Sequence, residues 1–383
     1  MKKMLLIITA VITIYSLLVP TTFAQSDASP PTIVSEAAIV MDAKSGEVIY
    51  EKNAKAQKYP ASLTKIATAI YTIENADLDE KVTVSKNARH TEGTRVYLEE
   101  GEQVTLKKLL QGLLINSGND AGVAIAEHLS GTVDQFATEI NNYLKNDIGV
   151  KNTHFKNPHG LFNSEHVTTA EDLATITRYA MENEVFRNIF GTKKFEWSGE
   201  AWDTTLFSHH KLMRKKPYEE IITGGKTGYV DQSGFTLATT AKKENVSLII
   251  ITLNSDAQRG AYNDTMKLLE YGFGNFETSS IPKGTTFVGE GTDYITSKKL
   301  YFTHPLNEQV KKEVKEDGSL HITDQNGKIL SSFQLSEINN DTEDVRQAKS
   351  MSTVDSGLPM ENQLPNLFIS IGLSIVDLFY KYT

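Results

Sequence analysis

Pro60-Ala61-Ser62-Leu63-Thr64-Lys65-Ile66-Ala67-Thr68-Ala69-Ile70-Tyr71-Thr72-Ile73 reads as the opening of a helix that carries a nucleophile and a base one turn apart. Leu63, Ile66, Ala67, Ile70 and Ile73 recur at three- and four-residue steps, the spacing of one buried helical face. Pro60 stands just ahead of the helix, where its missing N–H disrupts nothing. Residues three apart share a face, so Lys65 can reach Ser62 Oγ. At a helix start the outward N–H groups and the dipole favour an alkoxide. A lysine acts as a base only when neutral, and burial or a second cation lowers its pKa towards that state. The same S-x-x-K spacing recurs at Ser208 and Ser280. Pro282 opposes a helix after Ser280, and Ser208 to Lys211 lies in a polar stretch without apolar period. Only Ser62 has the placement that the chemistry needs.

Working outward, Ala38-Ile39-Val40-Met41 and Glu47-Val48-Ile49-Tyr50 flank the turn formers Asp42 to Gly46 and read as a hairpin. Beyond the Ser62 helix, Thr105 is a candidate N-cap for a helix with Leu106, Leu109, Leu110, Leu113 and Leu114 on one side. That helix stops at Asn116 to Asn119, and another follows over 121–129, closed by Gly131. Helical patterns recur over 134–144 and 170–181. A second hairpin follows, over 235–241 and 246–253, and then a helix over about 262–271 ending at Gly272. Hairpin, helices, hairpin, helix is an α+β (α/β) order: strands from both ends can pair in one antiparallel sheet sandwiched by helices, with the domain spanning 37–277. Residues 278–340 alternate short apolar–polar runs with glycine turns and read as a small C-terminal all-β domain, followed by a polar linker over 341–363.

Two further motifs can complete the site. Ser117-Gly118-Asn119 sits in the turn between two predicted helices. Ser117 can there relay a proton to a leaving amine, and Asn119 can hydrogen-bond a substrate amide. Lys226-Thr227-Gly228 follows Gly224-Gly225 and precedes Tyr229 and a predicted strand. Glycines at that place let a substrate backbone approach like an added strand. Lys226 and Thr227 are suited to a terminal carboxylate, and Lys226 can be the second cation near Lys65 if the fold brings it close.

S-x-x-K, S-x-N and K-T-G in this order and context resemble the penicillin-binding and β-lactamase-like enzymes. The similarity is to the low-molecular-mass penicillin-binding proteins, the serine D-alanyl-D-alanine carboxypeptidases. It extends through Tyr59 to Lys65, Ser117 to Ala121, Asn157-Pro158-His159-Gly160-Leu161 and Gly225 to Tyr229. The resemblance implies that Ser62 attacks the bond between two terminal D-alanines of a peptidoglycan stem peptide. Lys65 and Ser117 would complete the catalytic set, and Asn119, Lys226, Thr227, Gly228 and Tyr229 the substrate-binding set. It implies an oxyanion hole from the N–H groups of Ser62 and Tyr229, acylation by β-lactams, and no cofactor or metal. Arg259 is a weaker candidate for the carboxylate, since the match around it is poor.

A class A β-lactamase would carry an E-x-x-L-N loop between Ser117 and Lys226, and none is there. Transpeptidase and endopeptidase readings differ in acceptor or bond position, which these motifs do not read. A zinc peptidase is disfavoured: there is no H-E-x-x-H, and His154/His159 and His209/His210 lack an obvious third ligand. Cysteine chemistry is excluded, because the chain has no cysteine. The formal charge of −9 argues against nucleic acid as a partner. Lys2 and Lys3, the apolar run from Met4 to Val19 and the small residues at Thr22-Phe23-Ala24 read as a secretory signal peptide, 1–24, with 25–36 as linker. An uncleaved membrane anchor is the alternative, and either reading places the domain outside the cytoplasmic membrane. Residues 364–383 are largely apolar, with Ser370, Ser374, Asp377 and Lys381 along one stripe. They read as an amphipathic helix lying on the membrane surface, with a helix docking onto the protein's own core as the alternative.

Overall fold

In the computed structural model, residues 29–289 and 291–338 are described. The leader, 341–363 linker and terminal-helix readings therefore lie outside the described residues. Strands β1 (Ala37–Asp42) and β2 (Val48–Lys52) form the first hairpin. A 3₁₀ turn over Ala61–Leu63 runs into helix α1 (Thr64–Asn75), so Ser62 sits in the tighter turn rather than in the helix proper. Helix α2 (Leu106–Ile115) starts at Thr105, whose side chain caps Lys108 N–H as expected. Helix α3 (Asn119–Ser130) begins two residues earlier than the pattern suggested and ends at Gly131, φ 77°. Helices α4 (Val133–Tyr143), α5 (Ala170–Ala180) and α6 (Glu184–Phe190) complete the helical layer.

Strand β3 (Ile222–Val230) contains Lys226-Thr227-Gly228 instead of following it. Strands β4 (Gly234–Lys243) and β5 (Val246–Ser255) form the second hairpin, and helix α7 (Gln258–Asn275) follows. The sheet is antiparallel in the order β2-β1-β5-β4-β3, so β3 is an edge. Alternation along the strands assigns its two faces. Ile39, Ile249 and Ile251 pack into the core shared with α1 to α6, while Val40, Leu248 and Ile250 pack with Leu268 and Leu269 of α7. Gly272 lies inside α7 and does not end it. A Cβ there would come within 2.6 Å of Leu248 Cδ1, so the glycine allows helix and sheet to meet closely. Beyond α7, strands from Phe276 to Glu337 form three small antiparallel sheets around Phe302, Leu320 and Ile322. The hairpin Lys194–Ser198/Asp203–Phe207 had no expectation, since it is short and its pairing is local.

Candidate active site

The backbone around the nucleophile is held in an uncommon conformation. Ala61 has φ 47°, a left-handed value that a non-glycine residue adopts at a cost. Gly160 packs against it, and any side chain there would collide: an added Cβ would lie 1.8 Å from Ala61 O. On the other side, a Cβ on Gly228 would lie 2.9 Å from Ser62 N and 2.4 Å from Thr236 Oγ1. The edge strand therefore runs directly beside the start of α1, and the amide after Gly228 is that of Tyr229. Thr236 Oγ1 donates to Pro60 O at 3.1 Å, tying the sheet to the same turn.

Lys65 is fully buried. Its Nζ lies 2.8 Å from Ser62 Oγ, 2.7 Å from Asn119 Oδ1 and 2.7 Å from His159 O. Two of these partners only accept, and Asn119 is fixed in that orientation because its Nδ2 donates to Glu92 O at 2.8 Å. A neutral amine has two N–H donors and one lone pair. Its two protons suit Asn119 Oδ1 and His159 O, which leaves the lone pair facing Ser62 Oγ. Burial holds the Lys65 pKa well below the lysine range. The nearby Lys226 cation pushes the same way, and the Asp120 carboxylate opposes both.

Ser117 stands at the turn before α3 with φ 64°, a second left-handed non-glycine residue. Lys226 Nζ donates to its Oγ at 2.9 Å and to Thr227 O at 2.8 Å. Burial lowers the Lys226 pKa from the usual 10.5 to about 7. Asp120 secures the loop above this turn, its carboxylate accepting from Val96 N–H at 3.0 Å and Leu98 N–H at 3.2 Å. Ser62, Ser117, Thr227, Gly228 and Tyr229 line one cleft of about 260 Å³ between the helical layer and the edge strand. Eight of the nine residues singled out in the sequence thus converge on one region. Lys65 and Lys226 are buried beneath it and Asn119 is linked through Lys65.

Two readings change. Gly224 and Gly225 do not open space for a ligand: a Cβ on Gly224 would lie 2.3 Å from Phe190 Cδ1, and one on Gly225 2.4 Å from His210 Cδ2. They let β3 pack on the protein's own rings. Arg259 is exposed and does not line the cleft, whereas its neighbours Gln258 and Tyr262 do. Ser208 Oγ contacts Met213 Sδ at 3.1 Å, and Ser280 lies in the strand Phe276–Ile281, so neither builds a second copy of the site. Thr94, Gln258 and Tyr262 also belong to the cleft and no motif announced them, because they arrive from a loop and from α7, both outside the three motifs.

A buried lysine against a serine at the mouth of a helix, a second lysine–serine pair opposite and a glycine-bearing edge strand define a serine acyl-transfer site of the penicillin-binding type. Residues 24–257 match the family described as D-alanyl-D-alanine carboxypeptidase, and the chain belongs to that family. It is 29% identical over 338 residues to the D-alanyl-D-alanine carboxypeptidase DacF of Bacillus subtilis, covering 82% of this chain and 86% of that one. It is 31% identical over 282 residues to DacA of Escherichia coli K12, covering 68% and 66% respectively. The fold matches penicillin binding protein 5 from Haemophilus influenzae with a TM-score of 0.73 at 26% identity, over 81% of this chain and 98% of that one.

Proposed function

We propose that this serine D-Ala-D-Ala carboxypeptidase removes the terminal D-alanine from peptidoglycan stem peptides with Ser62 as nucleophile and Lys65 as its base. The observation that carries the reading is the fully buried Lys65 Nζ 2.8 Å from Ser62 Oγ. Ser62 Oγ bonds to the penultimate D-alanine carbonyl carbon while its proton passes to Lys65 Nζ. The Ser62 and Tyr229 N–H groups receive the developing oxyanion. Collapse breaks the C–N bond, and the departing amine takes the Ser117 Oγ proton, which Lys226 replaces; a pKa of about 7 suits that donor near neutrality. Lys226 and Thr227 hold the terminal carboxylate, and Asn119 the substrate amide. Water then hydrolyses the acyl-enzyme. β-Lactams acylate the same oxygen.

The test is release of free D-alanine from a soluble pentapeptide ending in D-Ala-D-Ala, by the intact enzyme and by Ser62→Ala. Release by the first and none by the second supports the reading, and equal release by both overturns it. The leader-like start and the apolar end support a position at the outer face of the cytoplasmic membrane, with the β-rich segment as spacer. Deleting residues 364–383 should move it from the membrane to the soluble fraction; a truncated protein that stays membrane-bound after leader removal would refute the anchor.

A further inference from the structure

His166 is one of nine histidines, and no motif includes it. It is buried, its ring stacked on Phe155 at 4.8 Å and 14°. Its bonding fixes its tautomer. Lys156 N–H donates to Nδ1 at 3.0 Å, so Nδ1 is the unprotonated nitrogen and Nε2 carries the hydrogen. That Nε2–H lies 2.8 Å from Thr64 Oγ1, which accepts it. Thr64 must then turn its own hydroxyl hydrogen elsewhere, and it donates to Ala61 O at 2.9 Å. Thr64 N–H donates to the same carbonyl. Ala61 is the residue at φ 47° that immediately precedes the nucleophile, and its carbonyl is where Gly160 leaves room.

We infer that His166 is a positioning residue for the reaction, acting through Thr64 on the Ala61 carbonyl to hold the strained turn that aims Ser62. The chain of donors runs one way, from Lys156 N–H through the ring and the hydroxyl to a single carbonyl. Each link has one orientation, so the turn has one. Burial, with lesser contributions from His154 and Lys65, lowers the His166 pKa to about 3, so the ring keeps this tautomer at working pH. The bracing is also lateral: Thr68 Oγ1 donates to Pro158 O at 2.7 Å, and Lys65 bonds His159 O. The 157–166 segment is thus the backstop against which Lys65 and the turn that carries Ser62 are set.

The inference rests on Ser62 being the nucleophile, and the test separates the two. Acylation by a β-lactam and D-alanine release from the soluble pentapeptide are measured for the full-length enzyme and its variants. His166→Phe keeps a ring on Phe155 but removes the donor. It is expected to lower kcat and the acylation rate constant about 10- to 100-fold, with KM little changed, since a misaimed nucleophile still binds its substrate. His166→Gln, whose amide N–H reaches the Thr64 hydroxyl, is expected to recover most of the loss, which a role in packing alone would not allow. Thr64→Val should resemble His166→Phe, and Thr64→Ser should resemble the wild type. If His166→Phe fails to fold, the Thr64 pair decides. A wild-type rate in Thr64→Val or in a folded His166→Phe overturns the inference while leaving Ser62 in place. Activity retained by Ser62→Ala overturns the reading of the site and this inference with it.

Discussion

The two walls of the cleft hold their functional atoms by different means. On the helical wall they are side-chain atoms: Lys65 Nζ lies 2.8 Å from Ser62 Oγ and 2.7 Å from Asn119 Oδ1, and Lys65 is fully buried. On the strand wall the nearest approach to Ser62 is made by backbone at Gly228, and the next side chain, Tyr229, is 52% exposed. Lys226 belongs to both, rising from the strand to bond Ser117 on the helical side. Chemistry on the first wall depends on which residue stands at each position. On the second it depends on how closely the main chain approaches, and an edge strand suits that because one of its rows of N–H and C=O groups has no neighbouring strand.

Substitutions can break this contrast. The largest effect is expected from Lys65→Ala, which removes the amine that bonds Ser62 Oγ and can take its proton. D-Alanine release and β-lactam acylation should both fall at least about 10⁴-fold. Residual single-turnover acylation close to the wild-type rate would show that another base serves Ser62. Gly228→Ala comes next. Its Cβ would meet Ser62 N at 2.9 Å and Thr236 Oγ1 at 2.4 Å, so the strand must retreat and the oxyanion loses a donor. A kcat loss of about 10²–10³-fold is expected, and activity within tenfold of wild type in a folded variant would show that the backbone approach is not needed.

Lys226→Gln tests the residue shared by both walls. A cation at Lys226 destabilises a cation at Lys65, so its removal raises the Lys65 pKa and keeps the base protonated to higher pH. The acidic limb of the pH profile of kcat/KM should therefore move to higher pH, alongside a general loss from the missing carboxylate contact. A limb that stays where it is would mean that the Lys226 charge does not bear on the Lys65 pKa.

The same contrast governs what could be read in advance. The grouping of Ser62, Lys65, Ser117, Asn119 and Lys226 was legible because their chemistry is written in residue type and in local spacing, although Ser62 sits in a 3₁₀ turn, Asn119 opens a helix and Lys226 lies within a strand rather than before one. Contacts between distant segments were not. Gly224-Gly225 looked like space for a ligand, but the occupants are Phe190 and His210, 34 and 15 residues away from Gly224 and Gly225. His166 carried no signal, since its partner Thr64 is 102 residues away. The start of α7 was missed by four residues because Gln258 to Ala261 has little apolar period, and Gly272 looked like a stop although it serves contact with Leu248.

Gly224→Ala turns that misreading into a measurement. If the glycine serves packing, the added methyl strains Phe190, lowers stability by about 1–3 kcal/mol, and shows as a lower Tm with kcat little changed. A large kcat loss at unchanged Tm would restore the idea that this glycine faces substrate.

The smallest effect is expected from Tyr229→Ala, and it sharpens the contrast most. The Tyr229 ring is turned onto Phe235 at 4.6 Å, and its hydroxyl donates to Asp231 Oδ1 at 3.0 Å. Both contacts stay on the strand wall, to Phe235 of β4 and to Asp231 just past the end of β3. If Tyr229 contributes only its N–H, the alanine variant keeps that group, and kcat on the soluble peptide should fall less than about tenfold, well short of a lost oxyanion donor. A loss as deep as that of Gly228→Ala would show that the strand wall, like the helical one, acts through a side chain.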